Sequence, residues 1–153
     1  MKIVFLFIDG VGLRPRSPDN PVNPEVCPTL CRLAERHGKP IDACLGVDGL
    51  PQSATGQSTM FTGVNTSRYM GRHCEGFPGP GLRELIERGN IFLSLKAVGK
   101  RVRFADAYLI DSPGELAPRR FKSVTTVMAL TVPETISTVN DLLDDEEIGR
   151  AHV

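Results

Sequence analysis

The segment Met1-Lys2-Ile3-Val4-Phe5-Leu6-Phe7-Ile8-Asp9-Gly10-Val11-Gly12 decides how the chain is read. Residues 3–8 are all apolar, and no polar residue marks a solvent face. A short run of this kind reads as a strand buried on both faces of a parallel sheet. It is too short to cross a membrane, and it lacks the small-residue cleavage site of a secretory leader. Asp9-Gly10-Val11-Gly12 then reads as a turn at the strand's carboxyl end, the edge where open α/β sheets bind their ligands.

Downstream, helical and extended patterns alternate. Residues 14–28 carry Pro15, Pro18, Pro21, Pro24 and Pro28 and read as loop. Residues 29–37 place Leu30, Leu33 and Ala34 on one helical face, with Gly38 as a stop. Residues 41–47 are a weaker strand candidate, and 101–109 alternate like a strand. Helices are expected at 82–88, 92–98, 121–130 and 135–143, the third despite its β-branched run Val124-Thr125-Thr126-Val127. Strands alternating with helices predict an α/β fold, a mainly parallel sheet flanked by helices, in one domain over residues 1–153.

Composition narrows the function classes. Of 153 residues, 41% are hydrophobic and 24% charged, as in ordinary globular proteins. Eighteen basic residues balance eighteen acidic ones, so no net field recruits nucleic acid or an anionic membrane. The absence of Trp further weakens a base-stacking role. Cys27, Cys31, Cys44 and Cys74 form no CxxC pair and have no partners at zinc-finger spacing, which predicts free thiols in a reducing cytoplasm.

The chemistry concentrates in Gly49-Leu50-Pro51-Gln52-Ser53-Ala54-Thr55-Gly56-Gln57-Ser58-Thr59-Met60-Phe61-Thr62-Gly63. Pro51 stiffens the approach. Ser53 stands where an N-cap or first-turn residue opens a helix whose buried side Ala54, Met60 and Phe61 can supply. A hydroxyl there is a preferred cap and nothing more, or else it is an oxygen held beside unpaired N–H groups and the positive end of the dipole. Asp9 likewise reads either as a turn-stabilising carboxylate before Gly10 or as a ligand that could share a divalent cation with the serine oxygen. Arg72 and His73, in the Gly- and Pro-rich segment 71–81, read as a solvated pair or as contacts for a substrate anion, and Asn65 lies close in sequence to the same helix. Pro15 breaks a Gly-x-Gly-x-x-Gly dinucleotide loop, and no Gly-x-Ser-x-Gly elbow surrounds Ser53.

Taken in order, Phe7-Ile8-Asp9-Gly10-Val11-Gly12, Ser53-Ala54-Thr55-Gly56-Gln57 and Phe61-Thr62-Gly63 resemble the alkaline phosphatase superfamily. The closest likeness is to the metalloenzyme branch of cofactor-independent phosphoglycerate mutase and phosphopentomutase. Asn23-Pro24, Pro28-Thr29-Leu30 and the stretches 43–47 and 90–108 extend the likeness over about residues 2–150. The resemblance implies an alkaline-phosphatase-like fold and a metal-dependent phosphate-ester hydrolase or phosphotransferase. It implies Ser53 as nucleophile, Asp9 and Ser53 as metal ligands, two zinc or manganese ions and a small phosphorylated substrate.

The departures are specific. Gln57 stands where the mutases carry histidine. The family's later Asp-x-x-x-His and Asp-His ligands have no counterpart, because His37, His73 and His152 lie outside such motifs. The expectation is therefore an N-terminal part of the family's domain lacking the C-terminal metal-ligand half, with open sheet edges that favour self-association. The alternative is a non-catalytic fragment or binding module that keeps an anion pocket.

Overall fold

The computed structural model describes residues 2–12, 17 and 19–144. Parts of the expected 14–28 loop, and residues 145–153 with His152, lie outside them. The chain divides into two compact units, Met1–Asp42 and Ala43–Val153.

In the first unit, residues 2–8 form neither helix nor strand, and Ile3, Val4, Phe5, Leu6 and Ile8 are exposed. Asp9 and Gly10 make a turn, with Gly10 at φ 74° and its N–H donating to Asp9 Oδ1 at 3.0 Å. Two asparagines organise the loop that follows. The N–H of Val22 donates to Asn20 Oδ1, and those of Glu25 and Val26 donate to Asn23 Oδ1, while Asn23 Nδ2 donates to Asn20 O at 2.8 Å. These are Asx turns, in which the side chain supplies the acceptor that a backbone turn would otherwise need. Helix α1 (Pro28–His37) follows, opened by proline and closed by a bond from Gly38 N–H to Ala34 O at 2.9 Å. None of its residues is buried.

The second unit holds α2 (Ser53–Thr62), α3 (Thr66–Met70), α4 (Pro80–Arg88), α5 (Ile91–Ala97), α6 (Val124–Leu130) and α7 (Val139–Asp144), with short 3-10 turns at Pro113–Glu115 and Pro133–Thr135. Helices α2, α4 and α6 pack on one another. Their facing residues, Ala54, Phe61, Leu82, Ile86, Val127 and Met128, form a buried core that also takes Val124. A second cluster joins Ala129 of α6 to Ile110, Leu116 and Ile136. Helix α6 thus reaches both clusters, which is how burial overrides the modest helix preference of its β-branched run. Ser123 starts it, its side chain accepting from Thr126 N–H at 3.1 Å.

Asn90 joins three of these helices. Its Oδ1 caps α5 by accepting from the N–H groups of Phe92 and Leu93, and its Nδ2 donates to Ile86 O of α4 and to Thr131 Oγ1 just after α6. The residue is almost fully buried, and both halves of the amide are satisfied, as a polar group in that position requires.

The parallel sheet expected from the sequence is not there. Among the described residues no strand forms, and one isolated parallel bridge, Ala107 with Ser137, is the only β-pairing. Residues 2–8 have strand composition, but a strand exists only when a neighbour accepts its ladder and covers its faces. The 41–47 candidate fails because Leu45 and Gly46 both take left-handed backbone (φ 57° and 71°), closing a turn through Val47 N–H to Cys44 O at 3.0 Å. The 101–109 candidate runs beside 135–139 through three spaced bonds, Phe104 N–H to Thr135 O, Tyr108 N–H to Ser137 O and, just past its end, Val139 N–H to Ile110 O, which make a single bridge and no strand. The alkaline-phosphatase-like architecture is corrected accordingly to a helical one. The helices expected at 29–37, 82–88 and 92–98 form within a residue or two of those bounds, and that expected at 121–130 starts later, at Val124. The one expected at 135–143 splits into a 3-10 turn and α7.

Candidate functional site

Ser53 is the first residue of α2, not its cap. The preceding Gln52 has extended backbone and makes no capping bond through its side chain. Gly49 sits at φ 112°, and a Cβ there would meet His73 Cδ2 at 3.4 Å, so this bend before the helix favours glycine twice over. Ser53 is half-buried. The helix closes at Gly63, left-handed at φ 72°, whose N–H donates to Thr59 O.

The inner face of α2 is built of small side chains: Ala54, Thr55 and Ser58 are fully buried, and Phe61 nearly so. Met60, expected on that face, is exposed instead. The threonines hold the surroundings in place. Thr66 Oγ1 donates to Thr55 O at 2.6 Å and lies 2.9 Å from Thr59 Oγ1, which accepts from Thr66 N–H at 3.0 Å. Helix α3 is thereby fastened along α2.

At the start of α2 the chain at Cys74 comes alongside. Ala54 N–H donates to Cys74 O at 3.1 Å, Cys74 N–H donates to Thr55 Oγ1 at 3.2 Å, and Thr55 Oγ1 donates to Gln52 O at 3.3 Å. One of the helix's first-turn donors is therefore already used. The same chain forms an open cleft of about 460 Å³, lined by Met70, Arg72, His73, Cys74, Glu75 and Phe77 and floored by the start of α4. Its wall combines one guanidinium, one carboxylate and a thiol with apolar surface, adjacent to a helix N-terminus.

His73 is committed to structure. Its Nε2 lies 3.0 Å from Val47 O, which can only accept, so Nε2 carries the proton and donates. Its Nδ1 lies 3.3 Å from the hydroxyl of Ser67, a fully buried residue. With both ring nitrogens engaged, the imidazole ties the 44–47 turn to α3. Asn65 has a similar role: it caps α3 by accepting from Arg68 N–H at 3.0 Å and donates to Leu45 O at 2.8 Å.

Asp9 belongs to the first unit and Ser53 to the second. In its own surroundings Asp9 is exposed and accepts from Gly10 N–H. Among the described residues no three His, Cys, Asp or Glu side chains group closely enough to hold a metal ion. The residues described therefore do not fit a two-metal centre.

Sequence reasoning found the helix start at Ser53 but not the cleft at residues 70–81, whose lining does not include Ser53. Arg72 and His73 were candidates; Cys74, Glu75 and Phe77 were not. The signal that bore on them was the repeated Ser and Thr of α2, too small to fill a core and suited to bonding a neighbouring chain. Comparison with protein-family models, with curated proteins and with solved structures finds no match for this chain.

Proposed function

We propose that the chain acts on a small phosphate ester, as a hydrolase or phosphotransferase, with Ser53 as the nucleophile. The observation that carries the reading is the position of Ser53: the first residue of a ten-residue helix, next to Ala54, whose N–H bonds the carbonyl of Cys74, a residue lining the Arg72-bearing cleft. A helix N-terminus favours negative charge on nearby oxygens, and a guanidinium matches a phosphoryl group in charge and shape. In the reaction the Ser53 oxygen forms a bond to phosphorus, the phosphorus–ester oxygen bond breaks with its electron pair on the ester oxygen, and the serine proton is taken up through water by that leaving oxygen. The phosphoserine then passes its phosphoryl group to water or to a second hydroxyl, whose proton returns to the Ser53 oxygen.

Dependence on zinc or manganese, with Asp9 as a ligand, remains what the sequence resemblance implies. A reducing, cytoplasmic setting is what the cysteine pattern of the sequence implies. No helix among the described residues is long and apolar enough to cross a membrane.

The test is hydrolysis of p-nitrophenyl phosphate with zinc or manganese added, read beside mass spectrometry for phosphate on Ser53. The expected result is turnover that Ser53→Ala removes by several orders of magnitude; turnover unchanged in Ser53→Ala contradicts the assignment. A second reading, a binding module with an anion pocket and no turnover, rests on the Arg72-bearing cleft alone. It predicts that inorganic phosphate binds, that Arg72→Ala weakens the binding, and that no phosphoserine forms.

A further inference from the structure

Phe77 has an anchored backbone and a ring left half in water. Its neighbour Pro78 is fully buried. Arg83 braces the chain around it: Nε donates to Pro78 O at 2.9 Å and Nη2 to Arg120 O at 2.8 Å. Next to Arg120, the Phe121 ring meets that of Phe77, with centroids 5.4 Å apart and planes tilted by 42°. The Arg120 guanidinium lies over Phe121 at 5.3 Å from its centroid. The contact with Phe121 covers only part of the Phe77 ring, which stays 52% exposed and lines the cleft together with Met70 and Arg72. An aromatic side chain anchored in a cleft wall is suited to orienting a ligand through that ligand's own ring.

We propose, building on the Arg72 cleft as the anion site read above, that its ligand is a phosphate ester whose alcohol carries a planar aromatic ring. The ring lies on Phe77 and the phosphate on Arg72. Charge alone does not hold a bare phosphate here. Glu75 opposes Arg72 in the same lining, and His73 has both ring nitrogens engaged, so the lining charges cancel. The surplus affinity must come from apolar contact. Two lining side chains favour a ring over an alkyl chain: Phe77 stacks with it, and the Met70 thioether makes a sulfur–aromatic contact. The cleft's volume of about 460 Å³ is within the range of small-molecule sites and leaves room for both groups. A phenolic ester and a nucleoside monophosphate both present this chemistry.

NMR titration of the full chain with glycerol phosphate, phenyl phosphate and adenosine monophosphate tests this, in chelator so that no metal-dependent turnover consumes the ligand. The expected result is that at least one aromatic ester binds about fivefold or more tightly than glycerol phosphate. Phe77→Leu, which keeps an apolar side chain without the ring, removes that advantage and leaves glycerol phosphate binding unchanged. Arg72→Ala weakens all three ligands, and circular dichroism checks that the helices persist in both variants. Preference for phenyl phosphate supports the phenolic source, and preference for the nucleotide supports the nucleoside one. Equal affinity for the three esters, or an aromatic preference that survives Phe77→Leu, overturns the aromatic ligand and leaves the anion site standing. No binding, or binding indifferent to Arg72, overturns the anion site and this proposal with it.

Discussion

Leu6 and Leu82 carry the same side chain, yet Leu6 stands in water while Leu82 is completely buried. Hydrophobicity is equal at the two positions; what differs is what the neighbouring chain offers. Leu82 lies on α4, whose apolar residues recur at helical spacing and meet two other helices across one core. Leu6 lies in a run with no preferred face and outside any helix or strand. An apolar run determines that a segment can be buried, and only a partner of matching geometry determines that it is.

The widest contrast between the two regions should appear on shortening their apolar side chains. Ile86→Ala opens a cavity among α2, α4 and α6 and is expected to cost about 2–5 kcal/mol, read as the shift of a denaturant midpoint. Leu6→Ala in the same assay is expected to change stability by less than about 0.5 kcal/mol, since an exposed side chain loses little on truncation. Equal costs at the two positions would break the comparison.

Asn90→Ala sharpens it by asking how much of the second unit's order is polar. Truncation leaves the N–H groups of Phe92 and Leu93 and the carbonyl of Ile86 without their present partner, and a loss of about 2–3 kcal/mol is expected. A loss near zero would mean that α5 is held by Phe92 packing alone.

These helices were legible in the sequence because their signals are local. Pro28 and Pro80 open α1 and α4, Gly38 and Gly63 close α1 and α2, and Asn90 caps α5. Ser53 was legible as a helix start for the same reason. Other features depend on residues far apart in the chain, and spacing carries no trace of them. His73 reaches Val47, Cys74 reaches Thr55, and Tyr108 reaches Thr126. The cleft is a product of such contacts. So is the failure of residues 2–8 to enter a sheet, because composition states a preference for strand without naming a neighbour to receive it.

The smallest expected effect lies at high pH. Tyr108 is half-buried, and burial pushes its phenol up from the ordinary value, opposed by the 2.8 Å hydrogen bond with Thr126 Oγ1. A raised folded pKa means that the unfolded chain ionises first. The contribution is complete below the ordinary tyrosine value of about 10 and is lost as pH rises through the folded value. Wild type should therefore lose stability there more steeply than Tyr108→Phe in thermal melts from pH 8 to 11; identical profiles would remove Tyr108 from the account.

The most direct measurement is native-state hydrogen exchange, residue by residue, at a concentration where the chain is monomeric. The account predicts that amides 3–8, outside any helix or strand, exchange far faster than those of the helices. Amides in the middle of α2, α4 and α6 should exchange about a thousandfold or more slowly. Protection of amides 3–8 equal to that of α4, in the monomer, would contradict it: the segment would then be a strand within a sheet.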